Sequence, residues 1–136
     1  MSLSTNLLDA LSPENRIFVA FSGGLDSTAL LFLCNKALKE KKIRNLKAIH
    51  INHNLSKNSD NWQQHCESFC RSNNIEFESF MVKVSKNRSS IESQARQARY
   101  KIFESLLDEN DQILLAHHRD DVFETILLRL FRGTGV

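Results

Sequence analysis

The sequence predicts an α/β fold, a three-layer α/β/α sandwich built on a mostly parallel sheet. Two observations carry this expectation. Apolar runs of strand length, such as Ile17-Phe-Val-Ala-Phe21 and Leu46-Lys-Ala-Ile-His-Ile51, alternate with stretches of helical period. The stretches between them are long enough to be crossovers, which bring successive strands in parallel. Ligands of such folds bind beyond the carboxyl ends of the strands. Three of the expected strand ends are rich in functional groups, at residues 22–27, 50–54 and 116–121.

The elements follow in order. Leu7, Leu8 and Leu11 suggest a short amphipathic helix ending near Ser12-Pro13. A first strand is expected over 16–21. A helix is expected over 27–40, with Leu30, Leu31, Leu33, Cys34 and Leu38 on its buried side. Lys39, Lys41 and Lys42 suit that helix's negative end. The second strand spans 46–51, and residues 52–58 form a polar loop. Ser59-Asp60 then caps a helix whose apolar stripe is Trp62, Cys66, Phe69 and Cys70. A third strand over 75–84 carries glutamates, which suits a place near an edge. Residues 85–89 form a basic loop. A helix from Ser90 places Ile91, Ala95, Ala98, Ile102 and Leu106 on one face. The fourth strand covers 112–116, and a last helix is expected over 120–131.

A chain of 136 residues, 41% hydrophobic and 25% charged, has the size and composition of one globular domain. No run is long and apolar enough to span a membrane, and no basic segment leads into a secretory core. The three cysteines lack the spacing of a disulfide framework and fit a reducing, cytoplasmic setting. A net charge of +2 is too small to imply nucleic acid, so any RNA contact must come from local arginines. Residues 132–136 open another glycine turn directly after a helical run. The expectation is therefore one domain over 1–136, truncated at its C-terminus.

Ser22-Gly23-Gly24-Leu25-Asp26-Ser27 is the most informative stretch. It joins a strand to a helix through two glycines, which allow unusual backbone angles and close approach of a ligand. Helix-opening N–H groups and two serine hydroxyls make this a place for phosphate or pyrophosphate. It lacks the Walker lysine and is not GxGxxG. The plain alternative is a serine-capped glycine turn with no ligand.

On the helix expected after Ala116, Asp121 and Glu124 share a face, while Phe123, Ile126, Leu127 and Leu130 occupy another. Two like charges so close suit a magnesium ion or a substrate ammonium group; otherwise they are acids capping a helix start. Nothing in the spacing of His117 and His118 supports zinc. Glu92, Arg96 and Arg99 line one flank of their helix, a spacing that suits phosphate clamping or base stacking, or a solvated face. Arg119, Arg129 and Arg132 carry the same ambiguity. Cys66 and Cys70 read as core rather than as ligands or nucleophiles. His50 and His53 either contact a nucleotide or simply finish a strand.

Several segments together carry a resemblance. They are SGGLDS at 22–27, His50-Ile-Asn-His-Asn-Leu-Ser56, Ile91-Glu-Ser-Gln-Ala-Arg-Gln-Ala-Arg-Tyr100, and Leu115-Ala-His-His-Arg-Asp-Asp-Val-Phe-Glu-Thr125. The first looks like the signature of the PP-loop ATP pyrophosphatases, an adenine nucleotide alpha hydrolase-like fold. All of them together resemble the tRNA(Ile)-lysidine synthetase family, over almost the whole chain from Arg16. The resemblance implies a cytoplasmic ligase that uses ATP and Mg2+, with tRNA(Ile) and free L-lysine as substrates. ATP would adenylate the oxygen on carbon 2 of the wobble cytidine, and the lysine amine would then displace AMP. Carried over by position, Ser22, Gly23, Gly24, Leu25, Asp26 and Ser27 would bind ATP, with Asp26 and Asp121 near the metal. His117, Asp121, Glu124 and Arg96 would be catalytic. Glu92, Arg96 and Arg99 would meet the activated base or the tRNA. A homodimer is a further open expectation. Full family members continue with more catalytic-domain sequence and with C-terminal tRNA-binding domains. The competing readings are another PP-loop enzyme, such as a tRNA thiolase or an amidotransferase-type synthetase, and a nucleotide-binding module without chemistry. A thiolase of the iron–sulfur kind should show CxxC, which this chain lacks.

Overall fold

A computed structural model describes residues 11, 13–84, 90–119 and 122–129. Within them run β1 (Ile17–Ala20), α1 (Leu25–Lys39), β2 (Lys47–Asn52), α2 (Ser59–Ser72), β3 (Glu76–Met81), α3 (Ile91–Leu106), β4 (Gln112–Arg119) and β5 (Val122–Arg129). The sheet order is β3-β2-β1-β4-β5. The first four strands in that order pair in parallel, and β5 runs antiparallel to β4. The expected α/β architecture with a mostly parallel sheet is thus observed.

Period-two alternation in β1 divides the core. Ile17, Val19 and Phe21 face a cluster with Leu30, Leu31 and Cys34 of α1 and Cys66 and Cys70 of α2. Phe18 faces the opposite side, where Ile49 and Ile113 meet Phe103 and Leu107 at the end of α3. Helices therefore cover both faces of the sheet, which gives the three layers. Phe21 and Phe69 pack with ring centroids 5.5 Å apart. Leu11, from the expected first helix, is buried in the first cluster; the rest of that helix and the basic loop at 85–89 lie outside the described residues.

Local signals explain several boundaries. Ser90 caps α3, its hydroxyl accepting from the Ser93 N–H at 3.4 Å. Lys36 and Lys39 in the last turn of α1 suit the negative end of its dipole. Asn74 and Asn110 take left-handed angles (φ 56° and 76°) in the turns that lead into β3 and β4.

One expectation is overturned. Val122–Arg129 is a strand rather than part of a last helix. The residues pair opposite β4, with Ile113↔Leu128 and Ala116↔Thr125 in register. Val122, Thr125 and Ile126 are β-branched and favour strand, while the apolar spacing had suggested a helix; a short apolar run is ambiguous between the two. The edge of β4 also offers unpaired backbone groups that a strand satisfies.

Candidate functional site

β1 lies centrally, between β2 and β4. The chain that leaves it goes one way to β2, and β4 lies on the other side. This is the point where strand order reverses, and a crevice opens there beyond the carboxyl ends. Residues 22–27 occupy that rim.

The loop is held by its own serines. The Ser27 hydroxyl accepts from the Ser22 N–H at 3.1 Å and lies 2.9 Å from the Ser22 hydroxyl. The Ser22 hydroxyl accepts from the Gly24 N–H at 3.2 Å. Thr28 donates to the Gly24 carbonyl from its N–H at 3.0 Å and from its hydroxyl at 2.7 Å. Ser27 is buried, and Ser22 is exposed at the lip. Gly23 takes φ +87°, a region that side-chain-bearing residues rarely enter. A Cβ there would lie 2.7 Å from Cys66 Sγ and 3.0 Å from two indole carbons of Trp62. The two glycines thus have different reasons: Gly24, at φ −72°, is in ordinary extended backbone.

The neighbouring strand end is tied to the same loop. Phe21 donates its N–H to the Ile49 carbonyl at 2.8 Å, and the His50 ring Nδ1 lies 2.9 Å from the Phe21 carbonyl. Asn52, buried at the end of β2, donates to Asp60 at 3.1 Å and Gln63 at 2.8 Å, and accepts from the Asn54 N–H at 2.8 Å. These bonds fix the polar loop against the start of α2.

A cavity of about 470 Å³ lies against these ends. Ser22, Ser27, His50, His53, Trp62 and Arg99 contribute to its wall, with Ile51, Phe103 and Ala116 among the apolar groups. Its mix of apolar surface and a few placed polar groups suits a small organic ligand. Among the described residues, two buried polar atoms have no hydrogen-bond partner, His53 Nδ1 and Arg99 Nε, and both residues line this cavity. Burial, followed by the nearby charges of Arg99 and His50, holds the His53 imidazole below its ordinary pKa. Unsatisfied buried donors and acceptors are costly, and a ligand that meets them recovers that cost.

The expected site residues fare differently. Ser22, Ser27 and Arg99 reach the cavity wall. Arg96 instead lays its guanidinium 5.5 Å from the centroid of the Tyr100 ring. Glu92 is exposed in the first turn of α3. Leu25 opens α1 with its side chain in solvent, and Asp26 follows in the first turn. His117 and Glu124 are register partners across β4 and β5 rather than neighbours by way of a helix. Asp121 lies outside the described residues, so the expected helix face shared with Glu124 gives way to a strand at Glu124 alone.

Trp62 and Asn52 are residues the sequence reading did not place here. Trp62 belongs to the apolar stripe of α2 by spacing, yet its side stays 46% exposed. A signal was present: an indole N–H needs a partner, and a polar Asn at a buried strand end needs several. Cys34, Cys66 and Cys70 are free and buried, as expected of core residues. Burial pushes their thiols up to about 12, 11 and 12, so they are poor nucleophiles.

A model of the PP-loop domain family matches residues 2–136. The chain belongs to the PP-loop domain family. It is 45% identical to the tRNA(Ile)-lysidine synthase of Pseudomonas syringae pv. tomato over 98% of its length. It is likewise 45% identical to that of Legionella pneumophila (strain Lens), and 40% identical to that of Enterobacter sp. (strain 638) over 97%. The chain spans about 30% of the length of these curated relatives. Among solved structures, the U34-tRNA thiolase NcsA from Methanococcus maripaludis, described with its [4Fe-4S] cluster, matches with a TM-score of 0.58 and 23% identity. That match covers 72% of this chain and 36% of the thiolase, and it supports the PP-loop fold. Among the described residues, no helix is long and apolar enough to cross a membrane.

Proposed function

We propose that this chain is the ATP-binding catalytic domain of a cytoplasmic tRNA(Ile)-lysidine synthase. ATP would be cleaved between its α and β phosphates as the oxygen on carbon 2 of the wobble cytidine is adenylated. Pyrophosphate leaves in that step. The amine of free lysine then attacks carbon 2, and AMP leaves. The observation that carries the reading is the serine-laced glycine turn at the central strand's carboxyl end, beside a cavity holding two unpartnered polar atoms. The identity to named synthases supports the choice of substrates.

The residues present fit a nucleotide with its metal. Gly23 and Gly24 give phosphate oxygens access to backbone N–H groups at the start of α1. Asp26 sits in that same first turn, where a phosphate would also be favoured. Two anions at one helix end require a cation between them, and Mg2+ is commonly held by one or two carboxylates plus phosphate oxygens. An ion carried in on the ATP phosphates is the form that a single first-turn carboxylate suits. Asp26, with Asp121, would hold it.

Arg99 would meet the nucleotide or the activated base in the cavity. Arg96 would contact the tRNA side, with Glu92 orienting the pair. His117, Asp121 and Glu124 would surround the reacting carbon. A carboxylate there would take the proton the lysine amine must lose to become nucleophilic. The arginines would stabilise negative charge growing on pyrophosphate.

Incubation of the full-length protein with labelled ATP, lysine and tRNA(Ile) tests this. AMP release that depends on both lysine and tRNA is the expected result. Sulfur dependence would select a thiolase, and binding without AMP release a nucleotide-binding module. Asp121→Ala should abolish lysidine formation in a protein that remains folded.

A further inference from the structure

Trp62 sits where a buried core residue was expected, yet it is half exposed and makes two specific contacts with the glycine turn. Its indole N–H donates to the Ser22 carbonyl at 2.5 Å. Its six-membered ring occupies the room that a Cβ on Gly23 would need, with Cys66 Sγ beside it. The indole also stacks on His65, with centroids 4.9 Å apart and planes 20° apart. The side chain is thus held between its own helix and the glycine turn.

The peptide plane turns these contacts into a consequence for binding. In a trans peptide the carbonyl and the following N–H point in opposite directions. No cis peptide bond occurs among the described residues. Pinning the Ser22 carbonyl on the indole therefore directs the Gly23 N–H away from Trp62. It also removes a carbonyl oxygen, a repulsive group, from the set facing an incoming phosphate. Gly23 at φ +87° is the residue best able to flip, because glycine has little preference between the alternatives. Something must hold it, and the indole N–H gives the Ser22 carbonyl a partner from outside the loop.

We propose that Trp62 is a positioning residue for the phosphate-binding turn, locking the Ser22–Gly23 peptide in its receptive orientation. The inference rests on the proposed ATP site. It also makes the indole an internal reporter, since Trp62 is the one tryptophan of the chain.

The test pairs calorimetric titration of ATP and of inorganic pyrophosphate with emission from Trp62 in the full chain. Either ligand should shift or quench the emission, and AMP should do so less. Trp62→Phe keeps the ring but lacks the N–H; losing one hydrogen bond should weaken ATP and pyrophosphate binding about fivefold. Its thermal midpoint and circular dichroism should stay close to those of the parent. Trp62→Ala should weaken binding further. Trp62→Phe binding ATP as tightly as the parent would overturn the inference. So would calorimetric binding to the parent with no change in emission, an outcome independent of whether any variant folds. Failure of the parent chain to bind ATP or pyrophosphate at all would instead overturn the proposed function.

Discussion

His50 places its ring Nδ1 2.9 Å from the carbonyl oxygen of Phe21, joining the end of β2 to the residue that enters the glycine turn. A carbonyl only accepts, so Nδ1 carries the hydrogen in this bond. His50 is also buried and stacks on Phe77, with centroids 6.4 Å apart. His50→Ala should therefore lower the free energy of unfolding by about 1–3 kcal/mol, the range for a buried hydrogen bond and its packing. Urea denaturation of the variant checks this.

Gly23 and Gly24 should respond differently to alanine. At Gly23 the new methyl meets Cys66 Sγ and the indole of Trp62 at 3.0 Å or less, on a backbone at φ +87°. Gly23→Ala should destabilise the fold by about 2–4 kcal/mol, combining left-handed strain with overpacking. At Gly24 the nearest atom is Ser22 Oγ at 3.4 Å, and the backbone is extended. Gly24→Ala should shift the thermal midpoint by only a few degrees. A differential-scanning comparison of the two variants decides.

Stability should fall on the acid side through His53. Its folded-state pKa lies below the ordinary histidine value, first because of burial and then because of Arg99 and His50. The unfolded chain therefore binds the proton more readily than the native one. Its stabilising contribution is fully present above the ordinary histidine value, 6.5, and is lost as pH falls from there through the folded-state pKa. His53→Gln should flatten the decline of unfolding free energy as pH falls below about 6.5, measured by urea denaturation across that range.

All three thiols should be silent in the native protein. Cys34, Cys66 and Cys70 are buried, with their thiols pushed to about 12, 11 and 12. A disulfide reagent at pH 8 should titrate essentially none of them within minutes, and all of them after guanidinium is added. Rapid native labelling at Cys66 would mean that α2 lifts from the glycine turn.

Asp111 is a second structural anchor. Its carboxylate is buried and accepts from Arg16 Nε at 3.0 Å and from the Asp108 N–H at 2.8 Å. Bonds to a charged group are worth more than neutral ones, so Asp111→Ala should cost about 2 kcal/mol. Arg16→Lys should recover only part of the stability lost in Arg16→Ala, because a lysine cannot present the guanidinium fork. Chemical denaturation of these variants measures the difference.

The sheet was legible because its inner strands are apolar on both faces. Ile17 through Phe21 reads as a buried parallel strand, and the structure divides it between two cores. The glycine turn was legible because helix, strand and acid leave few other uses for SGGLDS. The Glu92–Arg96–Arg99 spacing places three polar side chains along α3, and only Arg99 of them lines the cavity. Three residues turn a helix by about 60° short of a full circle, enough for Arg99 to reach the cavity while Arg96 turns to Tyr100, four residues on. Trp62 was hidden by its spacing: sequence period reports which side of a helix is apolar, while the partner of an indole N–H lies forty residues away. The stretch from Val122 reads as helix because a helical and a strand pattern coincide in it, and only the antiparallel pairing with the preceding strand, Arg119↔Val122 through Gln112↔Arg129, decides between them.

The central strand has one partner, β2, made soon after it and another, β4, made only after two more helices and a strand. Ile17 pairs with Gln112, and Arg16 clasps Asp111 across 95 residues. On the ribosome, that flank of β1 must therefore wait, unpaired, until Gln112 has emerged. Closing so large a loop is entropically slow. Until Gln112 is added, that flank of β1 is open to mispairing or to chaperone capture.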